Sequence, residues 1–334
     1  MRTLLTTHNL EVFKLFFNHK LHDIFREDLH IYVDKEDSKE WEDFIVNSPL
    51  VNNTHIYNET DLIKYYSNTY NSHLKTFKKV YFINMLLEQG IIDDGFYFTD
   101  DDVLLFGKID EVKDYEHIMF DHEVSKMDTV FKEGWKIIDN YRIRHTGKIN
   151  HNFSASNFFI PKNKIAILKE KSLFLFYEFI DILFNESAYI DKVCTKTRSV
   201  RKCSVLVFYL DALFLNVLFS NIFDGTERAA DYKKPTYRHV RGVKEKLLTR
   251  NAKEIWKYTV NKNKSNWPKG QPLYHFVVTN KAPLMTEFFK AYNGEEPTYK
   301  NIDDLLLLNV KERSRITKEE YNKKFFGWPN YKDF

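Results

Sequence analysis

What constrains this chain most is the order of its first elements: short apolar runs alternate with helix-like stretches and lead into three consecutive aspartates, Asp100, Asp101 and Asp102. Such alternation is the pattern of βα units, which bury a largely parallel sheet beneath helices. Residues 3–7 read as a first strand and 10–21 as a helix, with Leu10, Phe13, Leu15, Phe16 and Phe17 on one side. Residues 29–33 form a second strand that ends at Asp34. Ser38 is placed to cap a helix running through Phe44 and Val46, with Glu42 near the capping position. Residues 54–57 are a short third strand. An amphipathic helix is expected over 72–89, where Leu74, Phe77, Tyr81, Met85 and Leu86 recur at helical spacing and Gly90 ends it.

The fourth strand, Phe96-Tyr97-Phe98-Thr99, runs straight into the aspartates, and Val103-Leu104-Leu105-Phe106 follows. The triplet therefore falls at the carboxyl end of a strand, where open α/β sheets place their ligand crevice. Two carboxylates one residue apart at such a place make a hard-oxygen site for a divalent cation that also grips a diphosphate. An Asp-rich turn that merely caps the next element is the alternative.

This layout, with a strand opening the chain, an acid after the second strand and Asp-x-Asp after the fourth, resembles the GT-A family of glycosyltransferases over roughly residues 1–220. The resemblance implies a Rossmann-like α/β fold: a mixed, mostly parallel sheet flanked by helices, with a helical and basic carboxyl-terminal part. It implies a Mn²⁺ or Mg²⁺ ion held by Asp100 and Asp102 against the diphosphate of a nucleotide sugar, a UDP-sugar above others. Asp101, pointing the other way on an extended backbone, would face the ribose or a supporting residue. Thr6, Thr7 and His8 would lie beside the nucleotide. Asp34 matches the acid that contacts base or ribose, or it caps the stretch Asp34-Lys35-Glu36-Asp37. Lys78, Lys79 and Asn84 resemble residues that reach the donor from the helix before the motif; a solvated helix face is the other reading for at least one of the lysines.

Beyond the motif, residues 153–160 look like a loop entering a strand, 169–184 a dense apolar helix, and 206–223 a second very apolar helix interrupted by Asp211, Asn216 and Asn221. A carboxylate in such a helix needs a partner or a purpose. Tyr209-Leu210-Asp211-Ala212-Leu213 resembles the family element that supplies a general base, so Asp211 is the candidate to take the acceptor's hydroxyl proton. The alternative is a structural carboxylate satisfied by Arg198 or Arg201. His275, in an apolar stretch late in the chain, resembles the histidine that completes the metal site in some relatives; a core histidine is the plainer reading.

Net charge is only +3, yet residues 226–270 hold 13 Lys/Arg against four Asp/Glu, and 192–202 add five Lys/Arg with no acid. The basic stretch interleaves Lys233, Lys234, Arg238, Arg241 and Lys244 with Tyr232, Tyr237, Trp256, Tyr258 and Trp267, a pattern suited to a nucleic-acid backbone and extruded bases. A division follows: residues 1–225 for nucleotide-sugar binding and catalysis, 226–334 for the acceptor. Double-stranded DNA carrying hydroxymethylated pyrimidines, as phage base-modifying transferases use, is the favoured acceptor, and a surface or capsular glycan the second. A non-catalytic nucleic-acid-binding protein with a degenerate transferase fold is the third reading, and the intact Asp-x-Asp argues against it. The abundance of Asn, Lys, Ile, Phe and Tyr is the bias of an AT-rich coding sequence, met in phages and low-GC bacteria.

At 334 residues, 43% hydrophobic and 16% aromatic, with a mean hydropathy of -0.48, the chain is of the globular class with a Phe- and Tyr-rich core. The amino terminus lacks the apolar segment of a signal peptide, no apolar run reaches membrane-span length, and Cys194 and Cys203 lack zinc-finger partners and read as free thiols. Together these point to the cytoplasm, with no stable membrane insertion.

Overall fold

A computed structural model describes residues 2–18, 28–48, 53–70, 77–105, 157–185, 210–222, 237–241 and 273–277, with scattered positions from 282 to 298. Its centre is a five-stranded sheet in the order β3-β2-β1-β4-β6. The strands are β1 (Arg2–Thr7), β2 (Asp28–Val33), β3 (Thr54–Asn58), β4 (Phe96–Asp100) and β6 (Asn157–Ile160). The first four run parallel, and β6 joins β4 antiparallel. A mixed, mostly parallel sheet flanked by helices is thus the architecture that the alternating pattern predicts.

The side-chain alternation of the strands sorts the core into two layers. Leu4 and Tyr32 face one layer, with α4 (Lys78–Glu88), α5 (Ile165–Asn185) and α6 (Leu210–Ile222), while Leu5, Leu29, Ile31 and Val33 face the other, with α1 (Leu10–Asn18) and α2 (Lys39–Val46). Met285 and Phe289, from the carboxyl-terminal part, pack into the second layer. The first layer is aromatic: Phe77 meets Tyr81, Phe176, Phe179 and Phe214 at ring-centroid separations of 5.5–6.3 Å. Burying each such ring stabilises the fold by about 1.5–3 kcal/mol.

Several expectations are corrected. The helix before the aspartates is not amphipathic: α4 is buried on nearly every side from Lys78 to Leu87, because the sheet lies beneath it and α5 over it. Its first expected turn lies outside the described residues, and Gly90, at φ 70°, follows its end in a conformation that favours glycine. Ser38 does not cap α2 through its side chain; its hydroxyl donates to Glu42 Oε1 instead, at 2.5 Å. An extra helix, α3 (Glu59–Tyr66), follows β3 and is opened by a capping box between Asn58 and Asp61.

A second, three-stranded sheet has the order β5-β8-β7, formed by β5 (Val103–Leu105), β8 (Leu273–Val277) and β7 (Tyr237–Arg241). The basic carboxyl-terminal part, expected to be helical, thus contributes strands that pair directly beyond Asp102. Among the described residues no helix is long and apolar enough to cross a membrane.

Candidate active site

The strand order turns back on itself at β1, since β2 and β3 lie on one side of it and β4 on the other. At such a switch point the loops leave in opposite directions and open a crevice beyond the carboxyl ends of the strands. Those ends carry Thr6 and Thr7 on β1 and Asp100 on β4, and Thr6 pairs with Asp100 in register.

Short-range bonding ties these ends together. The Thr6 hydroxyl donates to Asp100 Oδ1, and the Thr7 hydroxyl donates to Asp101 Oδ2 at 2.8 Å. The main-chain N–H of Asp101 donates to the Thr6 carbonyl at 3.1 Å, and that of Asp34 to the Thr7 carbonyl at 2.7 Å. Asp101 is 1% exposed, so it faces the supporting residue Thr7 and braces the turn. Asp102 is also buried, whereas Asp100 keeps an 18% exposed side chain. His8 is exposed just past the end of β1.

Two consecutive lysines enter from the first turn of α4. Lys79 Nζ lies 3.1 Å from both Asp100 Oδ2 and Asp211 Oδ2, so the acid of α6 is brought to the acid of β4 through one ammonium. Burial disfavours the Lys79 charge, but Asp100 and Asp211 outweigh it and raise its pKa. Lys78 Nζ reaches Asp34 Oδ1 at 2.7 Å and Glu59 Oε1 at 2.8 Å. Its pKa is raised in the same way, with Asp34 and Glu59 offsetting the cost of burial. Cations in the first turn oppose the helix dipole, and α4 has no acid there to favour its start. Tertiary carboxylates, not local preference, hold both lysines.

The fit to a divalent cation follows from this donor set. Asp100, Asp101, Asp102 and Asp211 are gathered at the end of β4 and the start of α6, and among the described residues Lys79 is the ammonium set between two of them. Carboxylate oxygen is the donor chemistry of a hard cation such as Mg²⁺ or Mn²⁺. Val103, the residue after Asp102, pairs with His275 across β5 and β8, which places the His275 backbone beside the motif.

The expected residues thus separate. Thr6, Thr7, Asp100, Asp101 and Asp211 converge with Lys79, while Asp34 and Lys78 form a neighbouring group. Asn84 is not brought to the strand ends: it is fully buried, its amide donates to Tyr66 Oη at 3.2 Å and Glu88 Oε1 at 2.8 Å, and it accepts from Ser172 Oγ at 3.2 Å. One turn and a half along α4 from Lys78, it links that helix to α3 and α5. Arg238 and Arg241 lie on β7, and the latter pairs with Val277. Lys233, Lys234, Lys244 and Trp256 lie outside the described residues, as do Arg198 and Arg201. Glu59 is the partner that sequence reasoning missed; Asn58-x-x-Asp61 was the signal that a helix starts there and turns Glu59 toward Lys78.

No protein-family model and no curated protein matches the sequence. Solved structures similar to the chain are glycosyltransferases. They include galactosyltransferase LgtC in complex with donor and acceptor sugar analogues (TM-score 0.43, 11% identity, 90% of this chain and 98% of that one). Mouse xyloside xylosyltransferase 1 in its apo form matches with TM-score 0.43 and 9% identity over 82% of this chain and 96% of its own. The bifunctional glycosyltransferase WbbM, also apo, matches with TM-score 0.44 and 9% identity over 88% of this chain and 51% of its own.

Proposed function

We propose that this protein is a metal-dependent glycosyltransferase that moves a sugar from a nucleoside-diphosphate sugar, a UDP-sugar above others, to a hydroxyl acceptor. The observation that carries the reading is the joining of Asp100 to Asp211 through Lys79 at the switch point of a parallel sheet. A motif carboxylate and a second carboxylate from a helix more than a hundred residues later meet where such sheets bind ligands.

In this reading Asp100 and Asp102 would hold Mn²⁺ or Mg²⁺ together with His275, whose backbone pairs with that of Val103. An ion held there would supply Lewis-acid stabilisation of charge on the diphosphate. Thr6 positions Asp100, while Thr7 and Asp101 brace the turn that presents the pair. His8 and Asp34 flank the nucleotide from the ends of β1 and β2. Lys78 fixes Asp34, and Lys79 holds Asp211, the candidate base, against the motif. The roles proposed for Lys78 and Asn84 in contacting the donor give way to positioning and packing, because their polar atoms are bonded within the protein.

For the acceptor, hydroxymethylated pyrimidine in DNA is kept ahead of a glycan on the basic composition of residues 226–270. β7, bearing Arg238 and Arg241, stands two strands from β5 in one sheet, about 10 Å from the strand that follows Asp102. A basic segment of this kind suits an anionic acceptor.

The test is donor hydrolysis and transfer with Mn²⁺ across a panel of nucleotide sugars, with and without hydroxymethylated duplex DNA or a glycan acceptor. Asp102→Asn should abolish the metal-dependent turnover with the fold retained. Sugar on the DNA would support the favoured acceptor; sugar on the glycan alone would replace it. Absence of nucleotide-sugar binding with Mn²⁺ present would overturn the transferase reading.

A further inference from the structure

The opposite edge of the sheet, where the strands begin, carries a cluster that the transfer reaction does not use. We propose that Asp28, His30 and His55 form a Zn²⁺ site there. Strand register creates the juxtaposition: Asp28 and His30 lie two apart on β2, and His30 pairs with His55 of β3. One ligand atom from each of the three lies within 4.8 Å of the others. His30 Nε2 is 3.4 Å from Asp28 Oδ2, and His55 Nε2 is 3.4 Å from Asp28 Oδ1. The edge of a tetrahedron with metal–ligand bonds of about 2.0 Å is about 3.3 Å, so the His55 Nε2–Asp28 Oδ1 separation matches neighbouring ligands of one tetrahedral ion.

Two further features point to a ligand. His30 is 3% exposed, and among the described residues its buried Nε2 has no well-formed hydrogen bond, with Asp28 Oδ2 3.4 Å away. Its other nitrogen, Nδ1, lies 3.1 Å from the Tyr57 hydroxyl, the outer contact that fixes ring orientation in histidine–metal sites. The rings of His30 and His55 are stacked 4.7 Å apart. Arg2 Nε donates to Asp28 Oδ2 at 2.9 Å, which leaves Oδ1 as the ligand oxygen, and Asp93 balances the Arg2 charge.

Two imidazoles and one carboxylate select Zn²⁺ over Mg²⁺ or Ca²⁺, which take oxygen. His55 has a 56% exposed side chain, so the fourth position faces water. In register Asp100 lies level with Tyr32, four residues or about 13 Å along from Asp28 and two strands across the sheet, which separates this ion from any cation at Asp100. The bound ion clips β2 to β3 near an edge of the sheet.

The experiment is a titration of the full chain with Zn²⁺ by calorimetry, and with Co²⁺ by visible absorption, which is intense for tetrahedral coordination. Wild type should bind one equivalent with the tetrahedral Co²⁺ spectrum, and a roughly hundredfold excess of Zn²⁺ over Kd should raise Tm by about 5 °C. His55→Ala, at an exposed position, should fold, weaken Zn²⁺ binding roughly tenfold or more, and abolish the spectrum. Asp102→Asn should leave both signals intact. No stoichiometric Zn²⁺ uptake by wild type, unchanged binding in His55→Ala, or loss of the spectrum in Asp102→Asn would each overturn the site.

Discussion

Replacing Lys79 with methionine isolates the interaction on which the strand-end site depends. In the wild type its ammonium stands 3.1 Å from one oxygen of Asp100 and 3.1 Å from one of Asp211, with side-chain exposures of 15% for Lys79, 18% for Asp100 and 7% for Asp211. Methionine keeps the apolar stem and removes the charge, which leaves two carboxylates without their shared cation. Breaking a buried ion pair by removing one partner costs about 3–5 kcal/mol, and water reaching Asp100 favours the lower end, so a loss of about 3 kcal/mol is expected. Urea denaturation followed by circular dichroism measures it. A cycle with Asp211→Asn supplies the control: with Asp211 neutralised, the Lys79→Met cost should fall to roughly 1 kcal/mol, a coupling of about 2 kcal/mol. Mn²⁺ should restore part of the stability lost by Lys79→Met, because a divalent cation can neutralise the same carboxylates. A Lys79→Met protein within about 0.5 kcal/mol of wild type, or additive single and double variants, would refute the reasoning.

Other consequences are tested more briefly. Asn84→Leu should destabilise the fold by about 2 kcal/mol, by leaving the Ser172 hydroxyl and Tyr66 without the amide, yet leave nucleotide-sugar affinity unchanged in a binding titration. Thr7→Val keeps the shape but removes the hydroxyl from Asp101, and thermal unfolding should register a loss of about 1–3 kcal/mol. Lys78 and Lys79 have raised pKa values, so the stability they contribute is complete below the unfolded value of about 10.4 and is lost as pH rises through their higher folded values. Tm should therefore fall as pH rises above about 10, and less steeply in Lys79→Met than in wild type.

The first four strands were legible because each is a short apolar run bounded by polar or acidic residues, and their order alone put Asp100 at a carboxyl end. Local pattern failed where long-range packing decides. Helix α4 carries its apolar residues at helical spacing, and only α5 above it and the carboxylates of Asp34 and Glu59 explain why Asn84 and Lys78 are buried as well. The pairing of Val103–Leu105 with β8 spans about half of the chain, and no local periodicity announces it. Asp211 was conspicuous as the acid in an apolar helix, but its partner was sought among nearby arginines. The structure supplies Lys79, from a helix over a hundred residues earlier.

Lys78 and Lys79 are the clearest case of a local rule broken for a tertiary reason. Adjacent cations at a helix amino terminus oppose the dipole and repel one another, so a chain optimised only for helix formation would place acids there. Adjacent positions on a helix point about 100° apart, and here that divergence sends Lys78 toward β2 and α3 and Lys79 toward β4 and α6. The start of α4 thereby divides the carboxylates of the crevice into two sets, Asp34 with Glu59 and Asp100 with Asp211. Each set lies beside one of the strands flanking β1, whose own end is tied to both through Thr7 to Asp34 and Thr6 to Asp100. A nucleotide bound across a switch point spans the same two sides. The conflict between local preference and observed position is thus resolved only at the crevice, and such conflicts mark sites where function has outweighed propensity.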